Sequence, residues 1–92
     1  MTDGTRMVGV ENGDAMLSRV TGTGCMATAL CGAFLGAGLA PTEAAVAGLA
    51  VMGVAAEQAI VGARGPASFQ VALIDAFHNL DDAALAAGVR LR

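Results

Sequence analysis

Charge is absent from a long central stretch of the chain, and this feature most restricts what the sequence can fold into. The 23 residues from Val20 to Thr42 carry no charged side chain, and Ala44 to Ala56 add thirteen more after Glu43. Alanine and glycine are frequent in both runs, so helices formed from them are apolar nearly all round. Such a helix is buried on several sides or lies in a membrane. We therefore expect close helix packing and a core that this chain does not complete by itself.

The composition supports this expectation. The 92 residues include three Phe but no Trp or Tyr, although 55% of them are hydrophobic. Burying alanine, which has a small side chain, stabilises a fold less per residue than burying Leu or Phe. A chain of this size buries only about 60% of its unfolded surface. The sequence thus describes one small domain at most, or a part of a larger one.

The charge balance and the cysteines exclude several classes of protein. Eight acidic residues against five arginines and no lysine give a net charge of −3, and no basic stripe or aromatic platform predicts nucleic-acid binding. The first residues do not have the pattern of a signal peptide. Cys25 and Cys31, six residues apart in one predicted helix, point about 240° apart around its axis and cannot form a disulfide there. Reduced thiols are typical of the cytoplasm, where we expect the protein to act.

Local signals predict a β-hairpin followed by three to four helices. The hairpin is expected at about residues 6–21, because Asn12-Gly13 between two β-prone runs favours a tight turn. A glycine-rich turn at 21–25 then opens the first helix. The helices are expected at about residues 24–37, 42–61, 66–80 and 81–87.

A membrane hairpin is one alternative for the two uncharged runs. Gly32 and Gly36 form a GxxxG pair of the kind found between membrane helices. The first run, however, opens with Thr-Gly-Thr-Gly, and acidic rather than basic residues flank the runs. The second run is too short to cross a bilayer core about 30 Å thick. A domain outside the membrane is therefore favoured.

The turn Thr21-Gly22-Thr23-Gly24-Cys25 is the segment best suited to chemistry. At the start of a helix it presents backbone N–H groups that lack partners within the helix, and the helix dipole adds to their attraction for an anion. It is not a Walker A loop, because that motif needs a lysine and the sequence has none. A thiol at the position of Cys25 serves as a base, nucleophile or redox group, or is simply a small buried residue.

Three segments, taken in order, resemble the C-terminal third of the hydroxyethylthiazole kinase family. Gly-Thr-Gly-Cys alone would be a weak signal, but the three together are specific and span about residues 2–80. They are Asn12-Gly13 with Met16-Leu17 and Val20-Thr-Gly-Thr-Gly-Cys25, then Ala55-Ala56-Glu57, then Gly65-Pro66-Ala67-Ser68-Phe69 running into Leu73-Ile74-Asp75-Ala76-Phe77.

This resemblance implies a ribokinase-like α/β sandwich that uses ATP and Mg²⁺ to phosphorylate the hydroxyl of 4-methyl-5-(2-hydroxyethyl)thiazole, in thiamine biosynthesis and salvage. Members of the family typically form homotrimers with active sites near subunit boundaries. By the resemblance, Gly22 would lie against the substrate, and the N–H groups of Gly22, Thr23, Gly24 and Cys25 would form an anion hole. Cys25 would face the attacking hydroxyl as its base, where related sugar kinases have an aspartate.

The sequence also departs from the family pattern. Ala67 stands where a glycine is usual and Ala15 where a proline is common, and both lie away from the turn. Family members are about three times as long, and Met1-Thr2-Asp3-Gly4 resembles an internal Val-Thr-Asp-Gly of the family. We therefore expect part of a longer kinase domain, with Met1 either an initiation codon inside a longer reading frame or the result of truncation. Turnover by these 92 residues alone is not expected.

A non-catalytic alternative is a split or decayed piece whose only activity is association with a complementary chain. Among the other polar residues, we expect Glu57 either to pair with Arg64 or to end the buried stretch. Asp75 is expected to accept a structural hydrogen bond from a neighbouring helix, and His78 to lie on the surface of its helix. No set of Cys, His, Asp and Glu has the spacing of a zinc site, and no metal ligand is assigned.

Overall fold

Helices make up most of the chain from residue 15 to residue 88. The structure, a computed structural model, describes residues 4 and 7–91. A short 3₁₀ helix precedes four α-helices, whose bounds lie within one residue of the expected ones. The elements are the 3₁₀ helix Ala15–Arg19, α1 (Thr23–Gly36), α2 (Pro41–Ile60), α3 (Pro66–Asn79) and α4 (Asp82–Gly88).

The prediction of a β-hairpin is wrong, and so is the prediction of an α/β fold class. The described residues form helices and no strand. Where the second strand was expected, the 3₁₀ helix begins instead, and the Asp14 carboxylate caps it by accepting the N–H of Met16 at 2.9 Å. Val10 forms only an isolated antiparallel bridge, with Leu91. Residue 6, the expected start of the hairpin, lies outside the described residues.

Long-range contacts of Asn12 explain why its turn signal fails. Its side chain donates to the carbonyl of Gly88 at 2.7 Å and accepts the N–H of Arg90 at 2.6 Å. The N–H of Glu11 also donates to the Arg90 carbonyl, at 2.9 Å. The segment around Asn12 is therefore paired with the far end of the chain, and such tertiary contacts override a local preference for a turn.

Helix α2 is the centre of the fold and packs against α1, α3 and α4. The two largest fully buried side chains, Phe69 and Leu73, come from α3 and lie in one cluster with α2. The buried members of this cluster are Val20, Met52, Ala55, Ala56, Ala59, Phe69, Leu73 and Ala76. Because the α2 members apart from Met52 are alanines, α3 can approach α2 closely, as the composition led us to expect.

A tight connection turns the chain from α1 into α2. Gly38 has a φ of +102°, a conformation that glycine adopts without strain. Its N–H donates to Leu35 at 3.0 Å, and the N–H of Leu39 donates to Phe34 at 3.2 Å. These two bonds close the last turn of α1 as a Schellman motif. Pro41 then opens α2 at its first helical position, where its missing N–H costs nothing.

Among the described residues, α2 is the one helix long and apolar enough for the membrane alternative. By length and composition alone, α2 could cross a bilayer, but 56% of its apolar window is buried within the fold. The core helix of a soluble protein has the same properties. Helix α1 differs from α2 in burial, because α1 is apolar in composition but contains no buried residue.

The contact between α1 and α2 gives a prediction for stability. A Cβ added at Gly48 would lie 2.6 Å from Cys31 Sγ and 2.8 Å from the backbone nitrogen of Cys31. Since a backbone atom cannot rotate away, α1 has to shift. We expect Gly48→Ala to lower the free energy of unfolding by about 1–3 kcal/mol in urea titrations of the full chain.

Gly32→Ala on α1 is the matched control. A Cβ at Gly32 meets nothing within 4 Å, and alanine is the better helix former by about 0.5–1 kcal/mol. This variant should keep or raise the stability. Equal effects of the two substitutions would show that the helices are not packed as closely as described.

Candidate active site

The glycine-rich turn forms the start of α1. Gly22 is the N-cap residue with a φ of +95°, and its carbonyl accepts the first helical hydrogen bond, from the N–H of Met26 at 2.9 Å. No side chain caps this end. The N–H groups of Thr23, Gly24 and Cys25 therefore have no partner within the helix, as at any helix start. Three backbone donors are thus directed outward from one turn.

The side chain of Thr23 fixes this turn to the preceding segment. Its hydroxyl donates to the carbonyl of Leu17 at 2.9 Å and lies 3.4 Å from that of Val20. Val20 is itself buried in the core cluster. The 3₁₀ helix and the turn are therefore held as one unit, and the donors of the turn are positioned before any ligand arrives. Such preorganisation is what makes backbone donors effective at a reacting centre.

The two cysteines of α1 have different surroundings. Cys25 is exposed in the first turn, whereas Cys31 is half-buried and its thiol lies 3.8 Å from the carbonyl of Ala45 on α2. Both are free thiols. Cys31 is thus part of the contact between helices, while Cys25 is accessible to a reacting group.

Space in front of the turn is open. A Cβ built on Gly24 meets no atom within 4 Å, so the backbone of the turn is accessible from outside the chain. A helix start with free N–H groups and no side chain over them suits an anion such as a phosphate. Chemically, the turn can stabilise negative charge, and an exposed thiol stands beside it.

A second polar cluster joins α2 to both ends of the chain. The Glu57 carboxylate accepts hydrogen bonds from the Arg90 guanidinium at 2.6 and 3.1 Å. It also accepts the N–H of Gly13 at 2.9 Å and the amide of Asn12 at 3.1 Å. Glu57 therefore pairs with Arg90, not with Arg64, the partner considered from the sequence. The backbone N–H of Arg64 instead donates to the Ser68 hydroxyl at 2.8 Å.

These contacts shift the acidity of Glu57. Hydrogen bonds from Arg90 are the largest influence and hold the pKa of Glu57 below its ordinary value near 4.5. Partial burial of the carboxylate acts in the opposite direction, and the N–H of Gly13 reinforces the lowering. The same ion pair raises the pKa of Arg90. The cluster is thus fully charged at neutral pH.

Sequence patterns singled out Glu57 but missed its cluster. Asn12 was interpreted as a turn residue, although its Asn-Gly signal marks the place where the cluster forms. His78 and Asp75 are exposed on α3. The hydrogen bond described for Asp75 lies within this helix rather than between helices, because the Asn79 side chain donates to the Asp75 backbone carbonyl at 2.9 Å. Neither residue is brought to the turn by a hydrogen bond of the described structure. The described residues also contain no group of three or more His, Cys, Asp or Glu that could hold a metal ion.

Comparison with known proteins finds relatives over nearly the whole chain. The profile of the Hydroxyethylthiazole kinase family matches residues 1–83. Hydroxyethylthiazole kinase of Granulibacter bethesdensis is 52% identical over 92% of this chain and 31% of its own length. That of Moorella thermoacetica is 47% identical over 100% of this chain and 34% of its own.

The fold is shared with a solved structure. The hydroxyethylthiazole kinase protein of Pyrococcus horikoshii OT3 matches with a TM-score of 0.93 at 41% identity, over 99% of this chain and 35% of that one. This chain therefore spans about a third of the length of the relatives it matches.

The Glu57 cluster predicts an acid-sensitive stability. Because the pKa of folded Glu57 lies below its ordinary value near 4.5, the ionised carboxylate stabilises the fold above that pH. This contribution disappears as the pH falls through the lowered pKa. We expect Glu57→Gln to be less stable than the unmodified chain at pH 7, and the two unfolding midpoints in urea to converge as the pH falls below about 4.5.

Arginine variants test which arginine forms the ion pair with Glu57. Arg90→Gln should reduce the same pH dependence, whereas Arg64→Gln should leave it in place. If Arg64→Gln has the larger effect, the pairing of Glu57 with Arg90 is incorrect.

Proposed function

Because the chain belongs to the hydroxyethylthiazole kinase family, we propose that it provides the phosphoryl-transfer end of an enzyme acting on 4-methyl-5-(2-hydroxyethyl)thiazole and ATP. The observation that carries this proposal is the open start of α1, where three N–H groups have no partner among the described residues and the side chain of Cys25 is exposed. The chain spans about a third of its relatives. The complete activity therefore also requires groups from the rest of the family fold.

The N–H groups of the turn Gly22-Thr23-Gly24-Cys25 act as the anion hole. A transferring phosphoryl group spreads negative charge over its three outer oxygens, and oriented donors lower the free energy of that state. The dipole of α1 acts in the same direction. Gly24 leaves room for an oxygen to approach the backbone, and the left-handed conformation of Gly22 sets the direction in which the donors point. Gly22 also lies against the thiazole substrate in this proposal.

Cys25 takes the proton of the attacking hydroxyl, or orients that hydroxyl. As the hydroxyl oxygen bonds to the γ-phosphorus, the bond from that phosphorus to ADP breaks, and Cys25 as the base accepts the hydroxyl proton. A thiol is sufficient because the transition state is loose, so that positioning and charge neutralisation contribute more than base strength. Exposure of Cys25 next to the donors supports this role.

ATP and Mg²⁺ fit this chain to different degrees. The backbone donors of α1 suit a phosphate of ATP, the nucleotide substrate that a kinase of this family implies. The turn itself contains no carboxylate, and the described residues hold no cluster of metal-ligating side chains. We therefore derive no step through the metal ion from these residues.

The remaining partners follow from the family. We propose a small thiazole alcohol as the acceptor, a homotrimeric complete enzyme and a cytoplasmic setting. Nothing in the net charge of −3 favours nucleic acid as a ligand.

A non-catalytic association module is the second candidate. It is favoured by α1, a helix without a buried residue in spite of its apolar composition. In that case the chain would bind a complementary polypeptide, and Cys25 would have no chemical role. Kinetics of cysteine variants separate the two candidates.

The test uses a chimera in which this chain replaces the matched third of the Moorella thermoacetica relative. We expect Cys25→Ala to lower kcat for thiazole phosphorylation by about 10²-fold, within the usual range for loss of a general base. The KM for ATP should change little, since the thiol faces the hydroxyl. Cys25→Ser should also lose activity, because a serine hydroxyl ionises far less readily than a thiol and is therefore rarely available as a base near neutral pH.

Cys31→Ser is the matched control on the same helix. Serine keeps the size of the side chain and can donate to Ala45 as the thiol does, so kcat should stay near that of the unmodified chimera. Full activity of Cys25→Ser would remove the base role. If the chimera is active and neither cysteine variant lowers kcat, Cys25 has no role in the chemistry.

A further inference from the structure

Arg90 is far from the glycine-rich turn in the sequence, yet it is joined to the segment that leads into that turn. Its guanidinium donates to both oxygens of the Glu57 carboxylate, at 2.6 and 3.1 Å. Its backbone N–H donates to the Asn12 side chain at 2.6 Å, and its guanidinium also reaches the Glu11 carbonyl at 3.2 Å. Arg90 lies beyond residue 83, where the match to the family profile ends, and the chemistry proposed above does not use it.

The contact of Arg90 with both oxygens fixes the orientation of the Glu57 carboxylate. Two parallel hydrogen bonds between a guanidinium and a carboxylate are stronger and more specific in geometry than one. The Glu57 side chain is only 27% exposed, so water competes with these bonds less than at an open surface. The same carboxylate accepts the N–H of Gly13 at 2.9 Å and the amide of Asn12 at 3.1 Å. Arg90 therefore determines where Glu57 holds residues 12 and 13.

Apolar packing leaves the neighbourhood of these two residues loosely filled. We call residues 10–17 the entry segment, because they lead towards the turn. A cleft of about 230 Å³ lies between this segment and α2, lined by Val10, Asn12 and Leu17 and by Leu49 and Met52 of α2. Space for the entry segment to shift is therefore present, and the polar contacts of the Glu57 cluster oppose that shift.

A short path leads from the entry segment to the donors of the turn. Asp14 directly follows the residues held by Glu57 and caps the 3₁₀ helix. The hydroxyl of Thr23 donates to the carbonyl of Leu17 in that helix at 2.9 Å, and the backbone N–H of Thr23 is one of the three open donors. A shift of the entry segment would therefore change the direction of these donors. Misplacement by about 1 Å through a distant substitution can cost about 10²-fold in rate.

We propose that Arg90 is a positioning residue for phosphoryl transfer. By orienting Glu57 it holds the entry segment, and through Thr23 the entry segment fixes the direction of the N–H donors at the start of α1. This inference rests on the proposed function for the reaction that the donors serve. It does not require Cys25 to be the base, and the order of the turn is measurable without turnover.

Hydrogen exchange in the full 92-residue chain tests the path without catalysis. The amide of Met26 reports on the start of α1, because it makes the first helical hydrogen bond, to the Gly22 carbonyl at 2.9 Å. The amide of Ala44 donates to the Ala40 carbonyl at 2.8 Å at the start of α2 and serves as the internal reference. We expect Arg90→Gln to accelerate exchange at least about fivefold at Met26 and less than about twofold at Ala44, as in a local loosening.

Kinetics of the chimera test the consequence for phosphoryl transfer. Arg90→Gln should lower kcat at least about fivefold and leave the KM values for ATP and the thiazole alcohol within about twofold, because the donors act on the transition state. Thr23→Val removes the hydroxyl but keeps the backbone N–H, and it should also lower kcat. In the Thr23→Val background, Arg90→Gln should lower kcat less than about twofold, since the path is already interrupted.

Two further variants complete the test. Arg64→Gln is the matched control, because it removes the same charge from an exposed arginine outside the Glu57 cluster. It should leave Met26 exchange and kcat within about twofold of the unmodified values, as expected for an exposed charge. Arg90→Lys decides the outcome if Arg90→Gln unfolds the chain, since lysine keeps the charge but not the planar fork. It should accelerate exchange at Met26 and lower kcat, each at least about twofold, with Ala44 unchanged.

Several results overturn the positioning proposal. These are equal acceleration at Met26 and Ala44, no acceleration at Met26 in a folded Arg90 variant, an unchanged kcat in that variant, an equal loss of kcat in Arg64→Gln, or a loss by Arg90→Gln that Thr23→Val does not diminish. An inactive unmodified chimera, together with faster Met26 exchange in Arg90→Gln, would contradict the proposed function but leave the ordering of the turn by Arg90 intact. Failure of the two proposals is therefore distinguishable.

Discussion

Close approach of α2 to its neighbours is the constraint on which the rest of the structure depends. At Gly48 the helix meets the backbone of Cys31, and at Gly53 a Cβ would lie 2.6–2.7 Å from atoms of Asn12. Alanines on another face admit Phe69 and Leu73. This chain has no Trp or Tyr, so its packing energy comes from the close approach of its helices rather than from large side chains. Dispersion contacts accumulate when atoms of neighbouring helices interdigitate.

The same helix links packing to the candidate chemistry. Gly53 presses on the segment that contains Asn12, and Glu57, one turn later, holds that segment through Asn12 and Gly13. Asp14 then caps the 3₁₀ helix, and Thr23 ties that helix to the start of α1. A continuous series of contacts therefore runs from the centre of the fold to the three open N–H groups. Their direction is set by this half-buried series of contacts and not by the turn alone.

Sequence patterns predicted the features that depend on neighbouring residues. Gly38, Pro41 and Pro66 delimit helices through their own backbone geometry, so the helix bounds could be placed closely. The Asn12-Gly13 signal failed because its contacts reach residues 76 and 78 positions away, which no local pattern encodes. For the same reason Arg90, 33 residues from Glu57, was missed in favour of the nearer Arg64. The donors of the turn could be anticipated, whereas their catalytic role stays a prediction.

The central proposal is that the start of α1 holds the transferring phosphoryl group. Its most direct test is a crystal structure of the chimera with ADP, Mg²⁺, aluminium fluoride and the thiazole alcohol. We expect the planar fluoride group within about 2.7–3.1 Å of at least two N–H groups among Thr23, Gly24 and Cys25. The Cys25 thiol should face the hydroxyl. A fluoride group bound elsewhere, with these N–H groups covered by protein, would contradict the proposal.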